Sequence, residues 1–167
     1  MAPDWTIRAM RSEDVVAVSA IERDSFSDPW PDSAFQELLT VANRVTLVAI
    51  DPEDRLAGYL CAQSVADEIQ IQNLAVATGL RRRGCADRLL GSIEAEGMKC
   101  GAAYAILDVR ETNVAALTLY LGMGYRVIGR RRGYYRKPPG DALVLSKSLT
   151  RSGVDQARME MSNGMVS

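Results

Sequence analysis

A chain of 167 residues, 47% apolar and 25% charged, is long enough for one domain with its own core and has the composition of a soluble globular protein. It carries 20 Lys and Arg against 21 Asp and Glu and no histidine, which removes every Ser-His or Cys-His nucleophile, every His-based metal motif and imidazole as a base. Acid–base chemistry must come from carboxylates, Tyr, Lys, Cys or water. The near-neutral total hides an asymmetry. Residues 1–80 hold five cations against thirteen carboxylates, and residues 81–167 hold fifteen against eight. Such a split suits one cationic and one anionic partner, unless both halves simply have solvated faces. Cys61, Cys85 and Cys100 are odd in number and form no C-x-x-C pair, which predicts a reducing compartment, small core thiols and no structural zinc. No apolar run approaches the about 18 residues of a membrane span. Asp4 stands where a signal peptide would be basic and then apolar, so a cytoplasmic protein is expected, with no membrane partner.

In chain order, Trp5 to Arg8 reads as a first strand. Ser12 is the expected N-cap of a helix burying Val15, Val18 and Ile21. Phe26 to Pro31, with two prolines, is a loop before a short helix around Ser33 to Leu39. Strands Arg44 to Ile50 and Leu56 to Val65 flank a turn at Asp51-Pro-Glu-Asp54. Glu68 to Val76 is the next strand, followed by a helix from about Gly84 to Lys99. Tyr104 to Val109 is a strand, Val114 to Leu121 a helix, and Tyr125 to Gly129 with Leu143 to Ser148 a closing pair of strands. A meander that turns into strand–helix alternation predicts an α/β fold, a mixed central sheet with helices on both faces, spanning residues 1–149. Residues 150–167, polar and aperiodic, are expected to form a disordered tail.

The most informative segment is Asn73-Leu-Ala-Val-Ala-Thr-Gly-Leu-Arg-Arg-Arg-Gly-Cys-Ala-Asp87. A short apolar strand, Leu74 to Val76, runs through Arg81-x-x-Gly84-x-Ala86 into a helix with Ala86, Leu89, Leu90 and Ile93 on one face. A turn and a helix start gather backbone N–H groups at the positive end of the helix dipole, a cradle for a pyrophosphate. The alternative is an ordinary turn with a solvated Arg run.

Arg81-Arg-Arg-Gly-Cys-Ala86 resembles the Q/R-x-x-G-x-G/A signature of the GNAT acetyltransferases, and Leu107 to Tyr120 resembles that superfamily's later strand and helix. Within it, Asp28-Pro-Trp30, Asp108-Val-Arg110, Asn113, Tyr120 and Gly133-Tyr-Tyr135 are most similar to the ribosomal protein bS18 alanine N-acetyltransferase (RimI) family. The resemblance implies the GNAT fold, acetyl-CoA as co-substrate with no metal, and acetylation of the N-terminal alanine of bS18 or a similar peptide terminus. Other readings are broader N-terminal or small-molecule amine specificity, or an acetyl-CoA-binding module without turnover. It implies that two strands splay apart so that Leu74, Ala75 and Val76 offer backbone to the pantetheine and thioester. It implies pyrophosphate contacts from Arg81, Arg82, Arg83, Gly84, Cys85, Ala86 and Asp87, mostly through main chain, and a cofactor contact from Asn113, which is also a helix N-cap in form.

By the same resemblance, Tyr120 protonates the leaving thiolate; without it, Tyr120 reads as core. Asp108 stands where the RimI family carries a Glu proton acceptor, and is shorter by one methylene. Its alternative is a strand-end carboxylate paired with Arg110 or capping the Asn113 helix, and Glu68 is the reserve base. Trp30, Tyr134 and Tyr135 would wall the acceptor site. The run Gly129 to Gly140, four arginines interleaved with tyrosines, also reads as an RNA grip or a solvated hairpin. Only the acceptor wall accounts for both the tyrosines and the family spacing, so nucleic acid is not the expected partner.

Overall fold

The computed structural model describes residues 4–149, so the tail expected at 150–167 lies outside the described residues. Strand β1 is Thr6–Ala9, and after a 3₁₀ turn at Ser12–Asp14 come helices α1 (Val15–Ser25) and α2 (Asp32–Leu38). Strands β2 (Arg44–Ile50), β3 (Leu56–Val65) and β4 (Glu68–Val76) follow. A second 3₁₀ turn, Thr78–Leu80, leads to α3 (Cys85–Lys99), β5 (Tyr104–Arg110), α4 (Val114–Gly122), β6 (Arg126–Arg136) and β7 (Pro139–Ser148). Among the described residues these strands form one seven-stranded mixed sheet in the order β1-β2-β3-β4-β5-β7-β6, with β4 and β5 parallel.

Alternation along the central strands builds a core on each face. Ala49, Leu60, Ile69, Ile71, Ala105 and Leu107 face α3, whose Leu89, Leu90 and Ile93 are fully buried against them, together with Tyr120 and Tyr125. Val48, Tyr59, Cys61 and Ala75 face α1 and α2 and pack on Val15, Val18, Ile21 and Phe35. Burying a side chain such as Leu89 or Phe35 stabilises the fold by roughly 1.5–3 kcal/mol each. Cys61 and Cys85 are the small core residues expected of them, whereas Cys100 is exposed.

Two local readings need correction. Ser12 does not cap α1: its hydroxyl reaches Gln36, and the Asp14 carboxylate instead accepts from the Arg11 amide at 2.7 Å while gripping Arg8. The Arg8 hydrogen bond, helped by the Arg11 amide, holds the Asp14 carboxyl below its ordinary range despite burial. The closing hairpin is also longer than its apolar residues indicate. β6 runs through Arg136 and β7 starts at Pro139, because β6 is an edge strand exposed at nearly every position, with no buried face to impose an alternating pattern.

Candidate active site

β4 and β5 pair only from Glu68–Tyr104 to Ile71–Leu107. Beyond that point β5 continues against β7 and β4 against β3, so the two parallel strands part. The register between β3 and β4 shifts between Cys61 and Ala62, which leaves Gln72 as an extra, bulged residue. The same bulge switches the parity of β4: Ile69 and Ile71 face the α3 core before it, Leu74 and Val76 after it. Backbone N–H and C=O groups of residues 72–76 on the β5 side therefore face a gap and not a strand.

A cleft of about 590 Å³ opens at this gap, lined among others by Glu22, Trp30, Asn73, Leu74, Asp108, Asn113, Tyr120, Tyr134 and Tyr135. A second cleft of about 930 Å³, lined by Glu37, Leu38, Arg44, Glu68, Gln70 and Arg131 among others, shares Trp30, Ile71, Gln72, Leu107, Asp108, Tyr134 and Tyr135 with the first. The two spaces meet where the strands part. Trp30, carried by the α1–α2 loop, and the tyrosines of β6 wall both.

Asp108 lies between Leu107 and Val109, which point into the α3 core, so its side chain lies on the opposite face, toward α1 and α2. Its carboxylate is 27% exposed and pairs with Arg131 of β6 at 3.1 Å. Arg110, the partner suggested by sequence, instead donates to the Pro138 carbonyl at 2.8 Å and stacks over Tyr135. Asn113 Oδ1, not Asp108, caps α4 by accepting from the Ala116 amide at 3.1 Å. Burial and then the neighbouring Asp108 raise the Tyr134 phenol above its usual value. Glu68 lines only the second cleft, where its carboxylate accepts from Gln70 at 3.3 Å.

Tyr120, on α4, comes to the gap from the α3 side of the sheet. It is 8% exposed and its ring meets that of Tyr125 edge-on at 5.8 Å. Burial, with a smaller contribution from Tyr135, pushes its phenol up to about 12. It is therefore protonated at any working pH, and its hydroxyl has no hydrogen-bond partner among the described residues. The arrangement offers a carboxylate on one face, a proton-bearing phenol on the other and free backbone donors between them, which suits acyl transfer.

Sequence reasoning missed Glu22. Only 1% exposed, it sits on the last turn of α1 and lines the first cleft. A signal was available: Glu22 falls seven residues after Val15 and four after Val18, on the helix's buried stripe.

The Arg81–Asp87 segment lies outside the two clefts' linings and runs through the Gly84 cap into the first turn of α3. Among the described residues no backbone carbonyl accepts from the amides of Arg82 to Asp87, and the first bond of the helix is from Arg88 N–H to the Gly84 carbonyl at 3.1 Å. Trp5 Nε1 donates to the Arg83 carbonyl at 3.3 Å, and Arg88 returns a bond to the Trp5 carbonyl at 3.1 Å, which holds the turn. Arg81 spends its side chain internally, on the Val76 carbonyl at 2.9 Å and Ser25 Oγ at 3.1 Å. Cys85 points into the core, so it has only backbone to offer.

Gly84, at the cap of α3, has φ +83°, and a Cβ there would meet nothing within 4 Å. Glycine is thus required by its left-handed backbone and leaves open space in front of the amides. Gly84→Val is expected to weaken acetyl-CoA binding at least about tenfold by distorting the turn and filling that space. Calorimetry on a variant of unchanged circular dichroism measures this, and an unaltered affinity would move the anion site elsewhere.

The basic hairpin is partly neutralised within the protein. Arg130 pairs with Glu111 and Asp141, and Arg131 with Asp108, which reduces the charge available for an RNA backbone. Among the described residues no cluster of three or more Cys, Asp or Glu could hold a metal, and no helix is long and apolar enough to cross a membrane.

Residues 15–125 match the acetyltransferase (GNAT) family. The chain is 35% identical over 83% of its length to a putative [ribosomal protein bS18]-alanine N-acetyltransferase of Bacillus subtilis, covering 92% of that protein. It is 30% identical over 87% of its length to the [ribosomal protein bS18]-alanine N-acetyltransferase of Salmonella typhimurium, covering 98% of it. The crystal structure of the ribosomal-protein-S18-alanine N-acetyltransferase from Escherichia coli superposes with a TM-score of 0.79 at 27% identity, covering 88% of this chain and 95% of that one. The chain belongs to the GNAT family of acetyltransferases, enzymes that draw their acetyl group from acetyl-CoA.

Proposed function

We propose that the protein transfers the acetyl group of acetyl-CoA to the α-amino group at a protein N-terminus, with the N-terminal alanine of ribosomal protein bS18 as acceptor. The observation that carries the reading is the parting of β4 and β5 at the Gln72 bulge, with Asp108 on one face and Tyr120 on the other. The names of relatives that match over most of this chain supply the acceptor. We assign the reaction to the cytoplasm.

The residues present fit acetyl-CoA. Amides without backbone acceptors at Arg82 to Asp87, beside the N-terminus of α3, suit its pyrophosphate, and Arg82 and Arg83 add positive charge. The N–H groups of Leu74 and Val76, which turn away from β3 toward the gap, suit the pantetheine and the thioester oxygen, whereas Ala75 spends its backbone on Tyr59 of β3 and the Val76 carbonyl is held by Arg81. Asn113 stands at the cleft with its Oδ1 on the Ala116 amide and its Nδ2 left to donate. When bound, acetyl-CoA supplies an electrophilic thioester carbon and a thiolate leaving group. Trp30, Tyr134 and Tyr135 wall the approach of the acceptor terminus and exclude water. Asp108 takes the amine proton, directly or through one water, and Tyr120 donates its phenolic hydrogen bond toward the departing sulfur.

The test is steady-state kinetics with three acceptors: a peptide beginning in alanine with the bS18 sequence, the same peptide with a blocked α-amine, and a small polyamine. The free peptide is expected to exceed the others in kcat/KM by at least about 10²-fold. A polyamine that matches it would point to a small-molecule acetyltransferase.

A further inference from the structure

We propose that the side-chain carbonyl of Asn73 receives an N–H of the acceptor amine and that Glu22 holds it in the sense that permits this; the inference rests on the acetyl-transfer reading above. Glu22 is almost wholly buried, yet its partners are neutral. Oε1 accepts from the Trp30 amide at 3.0 Å, and Oε2 accepts from the Tyr59 hydroxyl and from Asn73 Nδ2 at 2.7 Å. A buried carboxylate ringed by uncharged donors is a costly choice for packing alone. What it supplies is orientation. Oε2 is an acceptor in both of its contacts, and Asn73 can donate only from its NH₂, so the two ends of the amide are not interchangeable: the NH₂ must face Glu22.

That leaves Oδ1 as the group Asn73 has to offer, and no described group donates to it. Asn73 directly follows the bulged Gln72, where β4 leaves β5, and lines the same cleft as Asp108 and Tyr120. An attacking amine must aim its lone pair at the carbonyl carbon, which turns its N–H bonds away toward acceptors. Asp108 serves one, and Asn73 Oδ1 serves a second. Asn73 is thus a substrate-contacting residue and Glu22 a positioning residue. Because Glu22 also holds the Trp30 amide, the acceptor wall and the acceptor hydrogen bond are set by one carboxylate.

A double-mutant cycle tests this. Asn73→Ala is expected to raise the acceptor KM about tenfold, with kcat within about threefold and the acetyl-CoA Kd within about twofold. Glu22→Gln lets the Asn73 amide turn over and is expected to raise the same KM about threefold. Added to Asn73→Ala it should do nothing more, because the Gln carbonyl still accepts from the Trp30 amide and the amide that Glu22 orients is gone. An unchanged acceptor KM in Asn73→Ala overturns the proposal, as does a parallel loss of acetyl-CoA affinity, which would mean that Asn73 merely shapes the bulge. Additive losses would show that Glu22 acts independently of Asn73. The Asn73→Ala arm stands alone if Glu22→Gln does not fold. A parent enzyme that binds acetyl-CoA but acetylates no peptide terminus would instead remove the reading of the reaction, a result distinct from all of these.

Discussion

Replacing Tyr120 with Phe is expected to lower kcat by about 10²-fold while leaving the acetyl-CoA Kd within about twofold. The side chain is buried beside Tyr125, and Phe keeps its packing, so the loss isolates the hydroxyl. That hydroxyl has no acceptor among the described residues, and burial has pushed its titration up to about 12. The phenol is charged only above that pH and remains a donor below it. It is far weaker as an acid than a thiol of pKa about 8.5, so its contribution is a hydrogen bond that strengthens as the sulfur gains charge, with the amine's own proton completing the transfer. The parent enzyme should therefore show rising kcat/KM through the amine's pKa near about 8 and no falling limb from Tyr120 below pH about 11. Pre-steady-state and steady-state rates with the alanine peptide measure both effects. A Tyr120→Phe enzyme as fast as the parent would return this tyrosine to the core.

The second large effect is expected at Asp108. Asp108→Asn should depress kcat/KM by tens of fold to about 10²-fold at pH 6.5, where the acceptor is mostly charged, and the deficit should shrink above pH about 8 as the amine deprotonates unaided. Asp108→Glu should retain activity or exceed it, since it lengthens the reach toward the amine by one methylene. The Arg131 pair is half-exposed and contributes at most about 1 kcal/mol, so its disruption alone does not imitate such a pH-dependent loss. A defect of equal size at every pH would mark Asp108 as a hairpin anchor for Arg131. Normal rates in Asp108→Asn, with loss in Glu68→Gln, would transfer the role to Glu68, across the second cleft.

How much the sequence disclosed followed from how locally each feature is encoded. β2, β3 and β4 match their expected bounds because apolar alternation and the Asp51–Asp54 turn fix them within a few residues. Even the bulge left a trace: the inward positions pass from Ile69 and Ile71 to Leu74 and Val76 across the polar pair Gln72-Asn73. The helix starting after Gly84 was equally plain, from the glycine turn and the apolar face of Ala86, Leu89, Leu90 and Ile93 that follows it.

Features built from distant residues were not legible. Asp108 meets Arg131 across a β5–β7–β6 arrangement, although Arg110 and Asn113 lie closer along the chain. Glu22 falls on the buried stripe of α1, but the groups it gathers come from residues 30, 59 and 73, too far along the chain for its spacing to reveal them. The outer hairpin gave no period because nearly all of β6 meets solvent.

The most direct measurement of the reaction is tandem mass spectrometry of a bS18 N-terminal peptide after incubation with the protein and acetyl-CoA. One acetyl group located on the α-nitrogen of alanine is the expected product, formed in step with free CoA and lost in Tyr120→Phe on the same time scale. Acetyl groups only on lysine side chains, or CoA release with an unmodified peptide, would contradict N-terminal transfer by this site.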